Sequence, residues 1–219
     1  ELFMKENAIK GLLIDVGGVI ITNGWDRSLR HKMCEKFKIE WEEFESRHRL
    51  FNEVLENGKI TFRDYLKYVV FYKERSFTLN KVFDFIKDAA CPYEEMLGYL
   101  RELHAHHGIR IGVLSNESRE LAEDRFQRIS IDDFVNFKIV SAFVGMRKPD
   151  PEIYRLALDV MGLPAHEVAY IDDRQPYVEF AREFGVYGIH HTSVRATQSK
   201  LTHLIAQGIK NSGERAHLI

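Results

Sequence analysis

Short apolar segments alternate with longer segments of helical spacing along most of this chain, and this alternation limits the folds that are open to it. Apolar runs typical of buried strands occupy residues 9–16, 109–114, 137–140, 168–171 and 186–190. Strands that are joined through helices form right-handed crossovers and lie parallel in one sheet. We therefore predict an α/β fold, a Rossmann-like doubly wound parallel sheet of about five strands in the order 5-4-1-2-3 with helices on both faces.

A helical segment interrupts this alternation directly after the first strand. Between residues 25 and 90 the apolar side chains recur every three or four positions, which indicates four helices. Thr61 and Thr78 stand where two of these helices would begin, and we expect them to act as N-caps. The chain is thus predicted to divide into an α/β core of residues 1–22 and 91–219 and a helical-bundle cap of residues 23–90. We expect the last helix of the core to end near Gly208.

The charge balance argues against partners that are recruited by bulk electrostatics. The chain has 219 residues, and its 31 Lys and Arg residues nearly cancel its 33 Asp and Glu residues, which leaves a formal net charge of −2. Such a chain has no overall basic field that would attract nucleic acid or an anionic membrane. We therefore expect neither partner, and the oligomeric state stays open because no sustained heptad pattern marks an interface.

The cysteine content and the apolar runs suggest a compartment. Cys34 and Cys91 lie far apart in the sequence and in apolar helical contexts, which predicts two buried free thiols. The longest apolar run near the start is interrupted by Asp15 and by two glycines, so it is too short to span a bilayer. A basic leader segment does not precede it. These features predict a reduced protein of the cytoplasm.

Polar residues follow the ends of four of the predicted strands. They are Asp15, the pair Ser115-Asn116, Lys148 on the loop after the third strand, and the pair Asp172-Asp173. Each has an ordinary explanation as a turn former, a helix cap or a solvated charge. Because the carboxyl ends of parallel strands meet at one edge of the sheet, however, we expect these side chains to come together there.

Such a set of side chains suits a phosphate and a metal ion. Three carboxylates brought close together repel one another unless a cation joins them, and oxygen ligands without His or Cys favour Mg²⁺. The lysine and the hydroxyl and amide groups supply donors for an anion. A carboxylate that faces this anion can act as a nucleophile, which predicts phosphoryl transfer through an aspartyl phosphate.

Four segments carry a family resemblance. They are LLIDVGGV at residues 12–19, VLSN at residues 113–116, GMRKPDP at residues 145–151 and YIDD at residues 170–173. In this order they resemble the four motifs of the haloacid dehalogenase-like (HAD) hydrolases, and the helical insertion stands where that family places its C1 cap. Within the family the chain is similar to the subgroup that includes the α-D-glucose-1-phosphate phosphatases and the phosphatase domain of soluble epoxide hydrolases.

The resemblance implies a role for each matching residue. It makes Asp15 the nucleophile and a metal ligand, with the backbone carbonyl of Gly17 as a second ligand. Asp173 would supply the carboxylate of the fourth motif and Asp172 would support it, although which of the two touches the metal stays open. Ser115 and the amide of Asn116 would hold the phosphoryl oxygens, and Lys148 would bridge the nucleophile and the transferring group. The implied cofactor is Mg²⁺ and the implied partner is a small phosphorylated metabolite.

One position departs from the family pattern. Phosphatases of the family usually carry an Asp two residues after the nucleophile, as a general acid and base, and this chain has Gly17 there. A glycine carbonyl still binds a metal, whereas acid–base help, typically worth about 10²–10⁴ in rate, is lost from that position. Three interpretations stay open: a slow phosphatase of sugar phosphate-like substrates, a catalytically silent phosphate-binding or interaction protein, and, as the weakest, a metal-independent 2-haloacid dehalogenase.

Other residues support several interpretations. Tyr177 stands where relatives often carry a small amide, and Trp25, Arg27, Arg30 and Lys32 are candidates for a polar rim on the cap. A solvated helix face also explains Arg30 and Lys32, and Trp25 is as well explained as a core anchor. The histidines at positions 104, 106 and 107 precede Gly108, where they would satisfy the last carbonyls of a helix. His190 and His191 end the fifth strand on the predicted site edge.

Overall fold

A five-stranded parallel sheet forms the centre of the protein. The computed structural model describes residues 9–215, and their side chains as far as residue 205. The strands are β1 (Gly11–Ile14), β2 (Arg110–Ser115), β3 (Phe137–Val140), β4 (Val168–Asp172) and β5 (Tyr187–His190). Their order in the sheet is β3-β2-β1-β4-β5, and every neighbouring pair is parallel. The predicted fold class and strand order are confirmed.

Ten α-helices flank or follow these strands within the described residues. They are α1 (Arg27–Phe37), α2 (Trp41–Glu56), α3 (Phe62–Val69), α4 (Leu79–Asp88), α5 (Glu94–His107), α6 (Arg119–Arg128), α7 (Ser141–Val144), α8 (Pro151–Met161), α9 (Gln175–Arg182) and α10 (Val194–Arg215). The prediction that the last helix ends near Gly208 is wrong, because α10 runs through that glycine, whose cost inside a helix is only about 1 kcal/mol. Residues 1–8 and 216–219, part of the predicted core, lie outside the described residues.

The two faces of the sheet bury different sets of side chains. Alternate residues of a strand point to opposite faces, so Leu12 and Ile14 join one hydrophobic cluster and Leu13 joins another. Helices α5, α6 and α10 cover the first face, and helices α8 and α9 cover the second. This double coverage explains why the strands read as nearly continuous apolar runs.

The topology creates a crevice at one edge of the sheet. From β1 the chain continues to β2 and β3 on one side, and β4 and β5 then add to the other side of β1. The direction of strand addition reverses between β1 and β4, and in open parallel sheets ligands bind beyond the carboxyl ends of the strands at such a reversal. The residues that follow β1, β2 and β4 therefore face a common space.

The helices α1 to α4 bury a hydrophobic cluster of their own. Met33, Phe44 and Tyr65 lie at its centre with no exposed surface. The Thr61 and Thr78 side chains accept hydrogen bonds from the backbone N–H groups of Asp64 and Lys81, so the two predicted N-caps are confirmed. The four helices predicted for this segment are present.

The chain enters and leaves the four-helix segment at one place. The backbone N–H of Thr22 donates to the carbonyl of Cys91 over 2.9 Å, and the Thr22 hydroxyl donates to the carbonyl of Ala89 over 3.1 Å. The backbone N–H of Cys91 donates in turn to the Thr22 hydroxyl over 3.0 Å. These contacts lie at the predicted boundaries of the cap, which themselves stay a prediction.

The two cysteines differ in their surroundings. Cys34 is buried within α1, as predicted, and burial raises the pKa of its thiol to about 12. Cys91 is exposed and lies between α4 and α5, so the prediction of a buried helical thiol is wrong there. The reason is Pro92, which disfavours helical backbone at the preceding residue and pairs with Ile21 in an isolated β-bridge. Within residues 9–215, none of the helices combines the length and the apolar character of a membrane span.

His48 is a buried titratable group in the four-helix segment. Only 6% of the residue is exposed, and its Nδ1 atom lies 2.7 Å from the Tyr65 hydroxyl. The pKa of His48 is lowered to about 4, chiefly by burial and in addition by the charge of Arg30, while Glu45 opposes the shift. The ring is therefore neutral in the folded protein at neutral pH.

We predict that the His48→Asn variant has a flatter dependence of stability on pH than the wild type. Between pH 6.5 and 4 the unfolded chain binds a proton at His48 that the folded protein does not bind, so acid favours unfolding. For a pKa near 4, lowering the pH from 7.5 to 5 should remove about 2 kcal/mol of unfolding free energy through this group. Urea unfolding at several pH values measures this dependence of the unfolding free energy on pH. The exposed His106→Asn variant is the control, and equal pH slopes for wild type and His48→Asn would contradict the prediction.

Candidate active site

The fold brings the polar residues of the strand ends to one cleft. Asp15 directly follows β1, Ser115 is the last residue of β2, and Asp172 is the last residue of β4. Lys148 reaches the same place from the loop between α7 and α8. The four-helix segment lies across the cleft and contributes Trp25, among others, to its lining.

Three carboxylates form a compact cluster. Asp15, Asp172 and Asp173 each offer an oxygen, and these oxygens lie within 4.8 Å of one another. Among the described residues, this is the one group of at least three His, Cys, Asp or Glu side chains so arranged. Asp172 has no exposed surface and Asp15 is 9% exposed. Like charges this close in a buried place repel one another unless a cation stands near them.

Lys148 is one such cation. The residue is 1% exposed, and its Nζ atom lies 3.1 Å from Asp15 Oδ1 and 2.6 Å from Asp172 Oδ2. Burial by itself would lower the pKa of Lys148, but the two carboxylates outweigh it and raise the pKa above the usual range. The lysine is therefore charged at every physiological pH.

Asp15 has a strongly perturbed carboxyl group. Its pKa is raised to about 6: burial and the charges of Asp172 and Asp173 raise it, whereas Lys148 and the Ser115 hydroxyl lower it. Even so, a carboxyl group with this pKa is mostly ionised at pH 7 to 8. Asp15 thus combines a charged, poorly hydrated oxygen with a position beside the ammonium group of Lys148.

The two adjacent acids Asp172 and Asp173 differ in what their oxygens contact. Asp172 Oδ2 accepts hydrogen bonds from Lys148 Nζ and from the Tyr170 hydroxyl, and its Oδ1 accepts one from the backbone N–H of Arg174 over 2.8 Å. Asp173 Oδ2 accepts one from Asn23 Nδ2 over 2.8 Å, whereas Asp173 Oδ1 is buried and has no hydrogen-bond partner. A buried, unsatisfied carboxylate oxygen is costly, and a bound cation would satisfy it.

The side chain of Asn116 fixes the loop that carries Lys148. Its Nδ2 donates to the carbonyl of Lys148 over 2.8 Å, and its Oδ1 accepts from the backbone N–H of the same residue over 2.7 Å. Both ends of the amide are therefore used to hold Lys148. The sequence suggested Asn116 as a residue that holds phosphoryl oxygens, and the structure adds this positioning contact.

The cap cations suggested by the sequence do not line the cleft. Arg30 lies 3.4 Å from Glu45 and donates to the carbonyl of Trp25 over 2.9 Å, while Arg27 and Lys32 are exposed. Trp25 does line the cleft, and the edge-to-face contact of its ring with Phe62 also anchors it in the hydrophobic cluster of the four helices. The interpretation of Trp25 as a core anchor is confirmed, and its role toward a ligand stays a prediction.

Two other arginines line the cleft, and the sequence reasoning missed both. Arg174 directly follows the paired acids, and its guanidinium lies 5.7 Å from the ring of Tyr177. Arg125 lies on α6, and burial lowers its pKa to about 10 while Asp15 opposes the shift. The sequence carried a signal for Arg125, because it shares the apolar stripe of α6 with Leu121 and Ala122, where a charged residue is unusual.

The remaining candidates have structural contacts. The ring of Tyr177 lines the cleft and lies 5.3 Å from Lys148 Nζ, so it packs against the buried ammonium group. His190 Nε2 lies 3.0 Å from the carbonyl of Asp173, and His191 Nδ1 lies 2.8 Å from the Thr197 hydroxyl. His104 Nδ1 lies 3.2 Å from the carbonyl of Ile109, at the opposite edge of the sheet.

The family of the protein follows from a comparison with family models. The model for haloacid dehalogenase-like hydrolases matches residues 9–185. This match covers most of the chain, and the protein belongs to that family of hydrolases.

Three curated relatives match parts of the chain. The glyceraldehyde 3-phosphate phosphatase of Pyrococcus abyssi is 35% identical over 75 residues, which are 34% of this chain and 30% of that protein. The sesquiterpene phosphatase of Aspergillus oryzae is 30% identical over 118 residues, or 52% of this chain and 58% of that protein. Bifunctional epoxide hydrolase 2 of Sus scrofa is 39% identical over 69 residues, or 32% of this chain and 12% of that protein. The matches thus span less than two thirds of each relative.

Two solved structures share the fold. A HAD family enzyme from Bacteroides thetaiotaomicron, in complex with magnesium and inorganic phosphate, has a TM-score of 0.68 at 22% identity, covering 82% of this chain and 92% of that chain. The L-2-haloacid dehalogenase from Xanthobacter autotrophicus has a TM-score of 0.58 at 18% identity, covering 81% and 75%. At these identities the similarity establishes the fold.

We predict that the Lys148→Met variant is strongly destabilised. Without the ammonium group, Asp15 and Asp172 remain buried without their shared cation, and breaking a buried ion pair on one side costs about 3–5 kcal/mol. Urea unfolding at pH 7.5 in the presence of EDTA measures the loss.

The double variant Lys148→Met, Asp172→Asn should lose less stability than the single variant, because it removes one of the two stranded charges. The Lys10→Met variant, which removes an exposed 2.8 Å pair with Glu167, is the control and should cost less than about 1 kcal/mol. A loss in Lys148→Met as small as in this control would show that the buried network does not stabilise the fold.

Proposed function

We propose that the protein is a Mg²⁺-dependent phosphatase of small organic phosphates that acts through an aspartyl phosphate on Asp15. The observation that carries this proposal is the buried Lys148 between Asp15 and Asp172, beside an Asp173 oxygen that has no partner. The phosphatase names of two curated relatives and the magnesium and phosphate bound by a solved relative support it.

The donor set fits a magnesium ion. Asp15 and Asp173 would supply carboxylate oxygens, and the backbone carbonyl of Gly17, which lines the same cleft, would supply a third ligand. Asp172 would act through Lys148 and the loop rather than touch the metal, because its oxygens are already engaged. When bound, Mg²⁺ would neutralise charge on the phosphoryl oxygens and on the carboxylates.

The protein's own groups divide the remaining tasks. Asp15 attacks phosphorus with its ionised carboxylate, a P–O bond to Asp15 forms, and the ester P–O bond breaks to release an alkoxide. Lys148 offsets the repulsion between the carboxylate and the phosphate, and the Ser115 hydroxyl and the backbone amide of Asn116 donate to phosphoryl oxygens. Water then attacks the phosphorus of the aspartyl phosphate and its bond to Asp15 breaks, which restores the carboxylate and releases inorganic phosphate, and a proton from this water neutralises the alkoxide.

Gly17 limits the rate of this chemistry because it supplies no general acid. A glycine offers no proton to the departing alkoxide, so substrates with acidic leaving groups, such as anomeric or acyl phosphates, should react fastest. Asn23 fills the space where an acid would stand: a Cβ at position 17 would lie 2.8 Å from Asn23 Oδ1. The second candidate, a silent phosphate-binding protein, draws its support from the same glycine.

A metal-free dehalogenase is the least supported function. The Asp173 oxygen without a partner and the three clustered carboxylates suit a site that binds a cation.

The two free cysteines accord with the proposed cytoplasmic location, in which thiols stay reduced.

The first test is the turnover of p-nitrophenyl phosphate with Mg²⁺ or with EDTA. We expect hydrolysis only with Mg²⁺, and a loss of at least about 10³-fold in the Asp15→Asn variant, which keeps the shape but not the nucleophile. Mg²⁺ should also raise the melting temperature of the wild type but not that of Asp173→Asn.

Three results would exclude the proposal in different ways. A wild type as inert as Asp15→Asn on a broad panel of phosphates, with the Mg²⁺ effect on melting preserved, would favour the silent phosphate-binding protein. Chloride release from 2-chloropropionate in EDTA would favour the dehalogenase. Activity that persists in EDTA would exclude the magnesium site.

Restoring an acid at position 17 should raise the rate on alkyl phosphates. Because the new side chain would collide with Asn23, we expect the double variant Gly17→Asp, Asn23→Ser to gain about 10-fold or more in kcat, and Gly17→Asp alone to gain less. The Asn23→Ser variant is the control for the lost contact with Asp173. Steady-state kinetics with n-propyl phosphate and with p-nitrophenyl phosphate measures kcat of each variant. An equal gain in kcat on the two esters would contradict an acid role for the new Asp, since the nitrophenolate leaving group needs no proton.

A further inference from the structure

A buried ion pair on the core side of the cleft has no part in the chemistry described above. Arg125 Nη1 pairs with Glu117 Oε2, and both residues line the cleft together with Asp15. Arg125 is only 3% exposed, and its Nη2 atom has no hydrogen-bond partner. The Ser118 hydroxyl, in a residue that is 2% exposed, also lines the cleft and also lacks a partner. Buried donors of this kind are normally satisfied, so two unpartnered donors in residues that line a cleft point to a ligand.

The guanidinium is held in place from several sides. The backbone N–H of Ser118 donates to Glu117 Oε1 over 3.2 Å, and the Ser141 hydroxyl accepts from the backbone N–H of Glu117 over 3.0 Å. Gly24 also packs against Arg125, and a Cβ there would lie 1.8 Å from its Nη2 atom. A donor that is fixed before the ligand arrives loses little entropy on binding.

We infer that Arg125, with Glu117 and Ser118, binds a hydroxyl group on the organic part of the phosphate ester and so selects hydroxylated substrates. This inference rests on the proposed phosphatase function and names the substrate class of the same site. A hydroxyl can accept from Arg125 Nη2 and donate to Glu117 or Ser118, which uses both kinds of group that the structure offers.

A substrate that carries an anionic group in addition to its phosphate suits the place beside Arg125 less well. Glu117 already balances the charge of Arg125, and a carboxylate on the substrate would meet that of Glu117. The other acids of the cleft, which include Asp26 and Glu56, leave no excess of positive charge for it. A hydroxyl, in contrast, brings no charge, and a site built to bind one rejects the analogue that lacks it.

The test compares three phosphate monoesters with three-carbon chains: glycerol 3-phosphate, n-propyl phosphate and 3-phosphoglycerate. In the Arg125→Met variant, kcat/KM for glycerol 3-phosphate should fall by about 10-fold or more, and that for n-propyl phosphate by less than about 3-fold. Gly24→Ala, which displaces the guanidinium without changing it, should give the same selective loss. The exposed Arg119→Met variant on the same helix is the control and should change neither value.

Removing Arg125 alone strands Glu117, so the double variant Glu117→Gln, Arg125→Met provides a folded comparison if the single variant melts early. Equal losses on all three esters would reduce Arg125 to a structural residue and overturn the inference. The largest loss on 3-phosphoglycerate would overturn it in favour of an anion subsite. A wild type that turns over none of the three, nor p-nitrophenyl phosphate, would overturn the phosphatase proposal and this inference together, whereas the selectivity tests address the inference alone.

Discussion

The contact of Lys148 with Asp15 and Asp172 is the interaction on which the rest of the site depends. One ammonium group, with almost no exposed surface, lies within 3.1 Å of both carboxylates, and each of the three residues comes from a different segment of the chain. Burial of three charges is tolerated only if they compensate one another, so the ends of β1 and β4 and the loop after α7 must meet in one geometry. Asn116, which holds the backbone of Lys148 at both ends, couples the end of β2 to the same point. The arrangement that would neutralise a phosphate is thus also the one that specifies how the strand ends come together.

The sheet and the gathering of polar residues at its edge could be predicted from the sequence, because they depend on the spacing of apolar residues and on topology. Apolar runs separated by helical segments specify a parallel sheet, and a parallel sheet brings Asp15, Ser115 and the Asp172-Asp173 pair to one edge whatever the details of packing. The resemblance predicted that Asp173 supplies the carboxylate and Asp172 supports it, but it left open which of the two touches the metal, because adjacent residues at a strand end point in different directions. The structure adds that Asp172 has its oxygens engaged while Asp173 keeps a buried oxygen free.

Errors of prediction also have physical causes. Cys91 was expected in a helix, but the following proline and the pairing of Ile21 with Pro92 give that residue an extended, exposed position. Arg27 and Arg30 were candidates for a rim near the ligand, with a solvated helix face as the alternative, and the structure turns Arg30 towards Glu45 within its own helical cluster. Arg125, one of the cations that do line the cleft, comes from the core and was recognisable as a charge on an apolar helix face. Whether a charged residue lines the cleft is therefore predicted less well by its sequence distance from a motif than by the helix face on which helical periodicity places it.

The hydrogen bonds among Thr22, Ala89 and Cys91 have an evolutionary consequence. They place the two ends of a segment of more than 60 residues side by side, next to the last β-bridge before the helices. An insertion whose ends lie a hydrogen bond apart can lengthen, shorten or be exchanged without changing the path of β1 or of α5. The strand ends that carry the proposed catalytic residues and the helices that cover them can then vary independently. A protein built in this way can acquire a new substrate by remodelling one side of its cleft while the catalytic side remains as it is.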